Sequence, residues 1–114
     1  MPIAVPASRQ ALADKYATLG NYVGVCTGDP GATNVPANEA FGSGYVRVQS
    51  PWTSGSGGTL SGTAVTIDLP SGTFNYILIA SASTGSTMID KCSVPDTTLS
   101  SPGSVVVTPN YVQT

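Results

Sequence analysis

The sequence predicts a mainly β protein, an antiparallel β-sandwich or barrel with one N-terminal α-helix. Three observations lead there. About six short segments rich in Val, Ile, Tyr and Thr recur at regular spacing, separated by Gly, Pro, Asp and Ser turns. One of them, Val65-Thr66-Ile67-Asp68-Leu69, alternates strictly, which is the period of a half-buried strand. Only one stretch, near the N-terminus, carries apolar residues at helical spacing.

In chain order, residues 1–7 read as an extended arm. Pro2 and Pro6 remove backbone donors and favour extended geometry, and Ile3 and Val5 would be wasted in water, so they are expected on the protein's own body or on a neighbour. Residues 8–114 read as one β-rich domain with a helix over 8–19. Ser8 is the expected N-cap, Leu12, Tyr16 and Leu19 follow the i, i+4, i+7 rule, and Gly20 ends the helix. Three turns are marginal alone, so this face must pack on the sheet or on a partner subunit.

Tyr22 to Thr27 reads as a strand. Asp29-Pro30-Gly31 then turns the chain: Pro sets φ, Gly tolerates positive φ, and the Asp side chain accepts from the backbone ahead of it. A polar loop from Ala32 to Gly44 returns into a strand, Tyr45 to Gln49, closed by Pro51-Trp52. The Gly/Ser run 53–58 is expected to be a flexible hairpin tip. Val65, Ile67 and Leu69 are expected to face inward. From Thr73 to Ser83, Phe74, Tyr76, Leu78 and Ala80 are assigned to one face and Ile77 and Ile79 to the other, which marks a central strand covered on both sides. Strands over Thr87–Cys92 and Ser104–Thr108 complete the set.

Charged residues make up 9% of the 114, against ~25% in ordinary domains, and the net charge is -2. Solubility rests on Ser and Thr, about a quarter of the chain. The four basic residues, Arg9, Lys15, Arg47 and Lys91, are scattered singly, so nucleic acid is not an expected partner. The longest apolar run, Tyr76 to Ala80, is far short of the ~20 residues of a membrane helix. No membrane association and no signal peptide are expected, and synthesis and folding in a cytoplasm follow. Cys26 and Cys92 each fall in a predicted strand and could pair, but an intracellular origin argues for thiols.

The chain has no histidine, which removes the commonest general base, metal ligand and nucleophile partner. Asp29 and Glu39 could offer oxygen to a hard cation, yet a turn-capping Asp and a solvated Glu account for them without one. Asp68 and Asp90 read as solvent-facing strand residues rather than a carboxylate pair. Gly55, Gly57 and Gly58 lack the Lys and the helix of a phosphate loop. Trp52 and the tyrosines could form a sugar-binding platform, but core or interface packing is the preferred reading of Trp52. No cofactor and no enzymatic activity are expected. The expected interaction residues are Ile3, Val5, Leu12, Tyr16 and Trp52, with Asp29, Pro30 and Gly31 as a structural turn.

The order of motifs resembles a known family. An amphipathic helix precedes Cys26-Thr27-Gly28-Asp29-Pro30-Gly31-Ala32-Thr33, then Asn38-Glu39, Gly42-Ser43-Gly44-Tyr45-Val46-Arg47-Val48-Gln49, Trp52-Thr53, and Val65 through Thr73 with Pro70-Ser71-Gly72. This series, from about Ala11 to Ser86, is similar to small virion proteins of tailed phages of actinobacteria. Members carry a histidine where this chain has Cys26, a departure that puts any shared role of that position in doubt. They are called minor tail, tail-fibre-like or unassigned structural components.

The resemblance implies a non-enzymatic virion structural protein, assembled in the host cytoplasm and held in the particle by a major capsid or tail protein and by its own copies as a homo-oligomer. A capsid decoration or minor capsid role is the first expectation. A minor tail or tail-fibre adaptor protein is the alternative within the class, and a carbohydrate-binding module for the host surface the alternative outside it.

Overall fold

Strand formation follows the alternation. The computed structural model describes residues 2–114, with the order α1 (Pro6–Leu19), β1 (Tyr22–Cys26), β2 (Val48–Gln49), β3 (Thr53–Ser54), β4 (Thr59–Ser61), β5 (Val65–Leu69), β6 (Gly72–Ala80), β7 (Met88–Leu99), β8 (Gly103–Val107) and β9 (Asn110–Val112). The protein is mainly β with one N-terminal helix, and its strand pairs are antiparallel. They form a four-stranded sheet in the order β2-β1-β6-β7, a three-stranded sheet β3-β4-β9 and a two-stranded sheet β5-β8.

In β5, Val65, Ile67 and Leu69 are buried and Thr66 and Asp68 exposed, as the alternation predicts. These three side chains meet Val23 and Val25 of β1 and Phe74 and Ile79 of β6 in the main core, with Ala40 from the long loop. The opposite face of β1 and β6 holds a second cluster, Cys26, Leu78, Ala80 and Met88. β6 is thus the central strand, apolar on both faces and paired on both edges. The long segment between β1 and β2 is sewn to this second side, where Met88 N donates to Asn34 O and Asn34 Nδ2 to Ser86 O.

Phe74 departs from its expected face. It packs with Ile77 and Ile79, whereas Tyr76, Leu78 and Ala80 belong to the other cluster. The cause is a register shift between Phe74 and Tyr76, where β7 spends extra residues around Pro95. Proline cannot donate to a ladder, and Val94, Pro95 and Asp96 stand against Asn75 alone, so the pairing is irregular at the point where the alternation of β6 breaks. β7 itself runs twelve residues, well past the predicted Cys92. The predicted strand at Tyr45 shrinks to Val48–Gln49, because Arg47 turns inward to a polar cluster. β3, β4 and β9 were not expected: the Gly/Ser run is the tip of a hairpin in which Thr53 pairs Ser61, and the C-terminal Tyr111 pairs Leu60.

The helix begins at Pro6, with Val5 as N-cap and no side-chain cap, instead of at Ser8. Proline at the first helical position has its φ pre-set and gives up only a donor that would be unpaired anyway. The arm is therefore shorter than residues 1–7, and Met1 lies outside the described residues. Of the predicted face Leu12, Tyr16 and Leu19, only Tyr16 packs on the body of the protein. Leu12 and Leu19 are exposed at 47% and 48%, while Ala13 is fully buried and Arg9, Gln10 and Tyr16 are half-buried around it. Polar side chains do the docking: Gln10 Oε1 accepts from Gly58 N and Thr59 N, and Arg9 Nε donates to Gly57 O. At the helix end, a Cβ on Gly20 would overlap the Ala80 carbonyl, so the helix meets β6 through a position that only glycine fits.

Candidate interaction surface

The β-sandwich is open along one side. β7 is the last strand of its sheet, β9 the last of its own, and β8 pairs only with β5, so each of the three has one edge unpaired among the described residues. A groove runs between β7 and the β8–β9 run, with one part of about 480 Å³ and another of about 380 Å³ that share Ile77, Val94, Val107 and Thr108. Its lining includes every residue from 105 to 112. A strand that shows a cleft its face contributes alternate residues, whereas one that shows its edge contributes them consecutively. The β8–β9 run therefore presents backbone as well as side chains.

The floor is apolar, formed by Ile77 and Ile79 in the larger part and by Leu69 and Phe74 in the smaller. Aromatic residues close the larger part. Tyr16 stacks on Tyr111 at 3.7 Å between ring centroids, 15° from parallel, and meets Trp52 edge-on at 6.0 Å. The Tyr16 hydroxyl donates to Asp90 Oδ2 at 2.8 Å, and Trp52 Nε1 donates to Gly20 O at 2.9 Å. Burial, followed by the Asp90 carboxylate, pushes the Tyr16 phenol well above its ordinary value of 10, so it acts as a fixed donor. Asp90 Oδ1 in turn accepts from Lys91 N. Cys92 lies on the same wall, exposed and unpaired, while Cys26 is fully buried, its thiol pushed up to about 12 by burial and then by the Glu39 charge. The two cysteines are free thiols.

Of the residues singled out from the sequence, the fold brings Tyr16 and Trp52 together at this groove. Ile3 and Val5 sit apart from it on the arm: Ile3 is half-buried, its carbonyl accepting from Arg9 Nη1, and Val5 is 56% exposed. Leu12 is exposed on the helix and is not part of the groove lining.

The Asp29-Pro30-Gly31 turn has the expected geometry. Asp29 Oδ1 accepts from Gly31 N at 2.9 Å, Gly31 has φ +92°, and Pro30 is fully buried. Lys91 also donates to Asp29, and this cation, ahead of the Gly31 N–H, holds the Asp29 carboxyl below its ordinary value. Among the described residues, no three acidic, Cys or His side chains gather in a way that could hold a metal.

One cluster went unseen in the sequence. Arg47, only 5% exposed, grips Glu39 with Nε and Nη2 and spends its remaining donors on Thr87 Oγ1, Gly85 O and Ala82 O. Tyr45 donates to Glu39 Oε2 at 2.6 Å and accepts from Val25 N at 3.1 Å. Burial alone would raise the Glu39 carboxyl, but Arg47 and Tyr45 outweigh it and hold it low. Every member is satisfied from within, so the cluster ties the loop to the β6–β7 turn and offers no free group to a substrate. Glu39, Tyr45 and Arg47 stand in the motif series quoted above, but nothing in their spacing shows that they meet.

Compared with family models, with curated proteins and with solved structures, the chain matches none of them.

Proposed function

We propose that this chain is a structural protein of a tailed-bacteriophage particle, a decoration or minor capsid subunit that works by protein–protein contact. The phage assignment rests on the motif series from Ala11 to Ser86. The observation that carries the docking role is the open side of the sandwich, where unpaired edges of β7, β8 and β9 flank an apolar floor. Exposed edges are surfaces to which an extended segment adds by main-chain hydrogen bonds. A minor tail or fibre-adaptor protein would use the same surface. The sugar-binding reading draws less support, because Tyr16 and Tyr111 turn a ring face on each other rather than outward.

Quantitative mass spectrometry of purified particles tests this. A copy number on the scale of the shell protein supports decoration, one matching the tail supports the tail alternative, and absence from the particle overturns the reading.

A further inference from the structure

Among the described residues, Phe41 is the most exposed large apolar side chain, at 85% against 69% for the next, Val106. The backbone that carries it is fixed on both sides. Ala40 is buried in the main core, and its N–H donates to Val25 O at 3.0 Å. After the ring the chain turns, Tyr45 N donating to Gly42 O at 3.0 Å, and Tyr45 and Arg47 both bind Glu39. Gly42, Ser43 and Gly44 run in succession at φ +87°, +55° and +81°, with Asn38 ahead of them at +59°. Left-handed backbone is unfavourable for a residue with a side chain and persists where surrounding contacts over-determine it. The turn thus withholds from Phe41 the burial that a free ring would find on its own protein.

A charge stands beside the same turn. A Cβ on Gly44 would lie 4.0 Å from Asp68 Oδ2, on the exposed face of β5. Among the described residues neither ion pair includes Asp68, whereas Glu39 is closed on Arg47. Val46, the residue after the turn, is 59% exposed. The tip therefore presents a projecting aromatic ring together with a carboxylate open to a partner. Two copies meeting turn to turn about a twofold axis would set Asp68 against Asp68, a like-charge contact. Charge complementarity points instead to a basic group on another protein.

We propose that the Phe41 turn is a docking knob for a different protein of the particle, one that offers an apolar pocket the width of a phenyl ring with a Lys or Arg at its rim facing Asp68. A single well-seated aromatic side chain can dominate an interface, and holding it in place beforehand removes the ordering that a mobile loop would have to undergo on binding. The Glu39–Arg47–Tyr45 cluster supplies that hold. The inference rests on the particle reading for the partner's location and adds to it a contact separate from the open strand edges.

Competition during particle assembly tests it. Full-length Phe41→Ser, expressed in equal amount with the unmodified chain, should be recovered in purified particles about tenfold less or lower, and Asp68→Lys about threefold less. Leu12→Ser, which removes an exposed apolar side chain from α1, should be recovered equally with the unmodified chain. Equal recovery of Phe41→Ser or of Asp68→Lys, or an equal loss of Leu12→Ser, overturns the proposal. Absence of the unmodified chain from the particle overturns the particle reading and this contact with it, whereas its presence beside undiminished Phe41→Ser overturns the contact alone. The purified chain gives a second measurement. Phe41→Ser should leave the melting midpoint within about 2 °C of the unmodified chain, because the ring makes no core contact to lose. A larger fall, or self-association of the unmodified chain that Phe41→Ser abolishes, overturns the proposal equally.

Discussion

Arg47 closes on Glu39 as a two-pronged pair, Nε to Oε2 at 2.8 Å and Nη2 to Oε1 at 2.9 Å, with the arginine side chain 3% exposed. Arginine's planar fork matches a carboxylate in a way that lysine's point charge does not. Removing either partner leaves an uncompensated charge out of water. Glu39→Ala and Arg47→Met should each cost about 3–5 kcal/mol in urea unfolding, and the double variant less than their sum. Single-variant losses below about 1 kcal/mol would show that the pair is not holding the loop.

Acid should reach the same pair. The folded Glu39 carboxyl lies below its ordinary value of 4.5, so its contribution is fully present above that pH and is lost as pH falls through the lowered folded value. The melting midpoint should therefore hold from neutral pH to about 4.5 and fall below it. In Glu39→Gln that part of the acid slope should be absent.

Leu78 is completely buried on the second face of β6, among Cys26, Ala80 and Met88. Leu78→Ala should cost about 2–5 kcal/mol, since the cavity is hemmed in by paired backbone on both sides. An unchanged denaturation midpoint would contradict the packing of this strand.

At the Asp29-Pro30-Gly31 turn, geometry and charge separate cleanly. Asp29→Asn keeps the acceptor for Gly31 N and should leave the melting midpoint nearly unchanged. Gly31→Val should lose roughly 1–3 kcal/mol because of φ +92°, not crowding, since nothing lies within 4 Å of a Cβ there. If Asp29→Asn instead mimics the effect of a chelator on the unmodified chain, the turn is a cation site.

Trp52 is the only tryptophan and reports on the aromatic end of the groove. Tyr16→Phe keeps the stack on Tyr111 and gives up the Asp90 bond, which should cost about 1 kcal/mol with little change in Trp52 emission. Tyr16→Ala should cost more and shift that emission to longer wavelength as water enters. Identical spectra for both variants would mean that the rings are not coupled as described.

The parts of the fold legible in the sequence are those where one rule acts alone. Val65, Ile67 and Leu69 alternate because β5 has one wet face, and the Asp29-Pro30-Gly31 turn is local chemistry. The helix was legible as an element and misread as a surface. Leu12 and Leu19 mark the helical period, but docking runs through Arg9 and Gln10 to backbone groups of a hairpin some fifty residues away, which apolar spacing cannot show. Phe74 takes the other face because the pairing of β6 with β7 is irregular between Phe74 and Tyr76, which leaves no mark in the residues of β6. Of the groove, Tyr16 and Trp52 were singled out, but Tyr111, Asp90 and the open edges emerge only once β7 and β9 are in place.

Pro95 has a consequence for the fate of the protein at high concentration. A twelve-residue exposed edge is the kind of template on which like chains stack without limit into fibrils. The interruption of β7 at Pro95 and the phase shift opposite it break that template into two short pieces, neither long nor flat enough to seed a continuous cross-β array. The same residue that disturbs the sheet internally thus acts as a gatekeeper against edge-to-edge stacking.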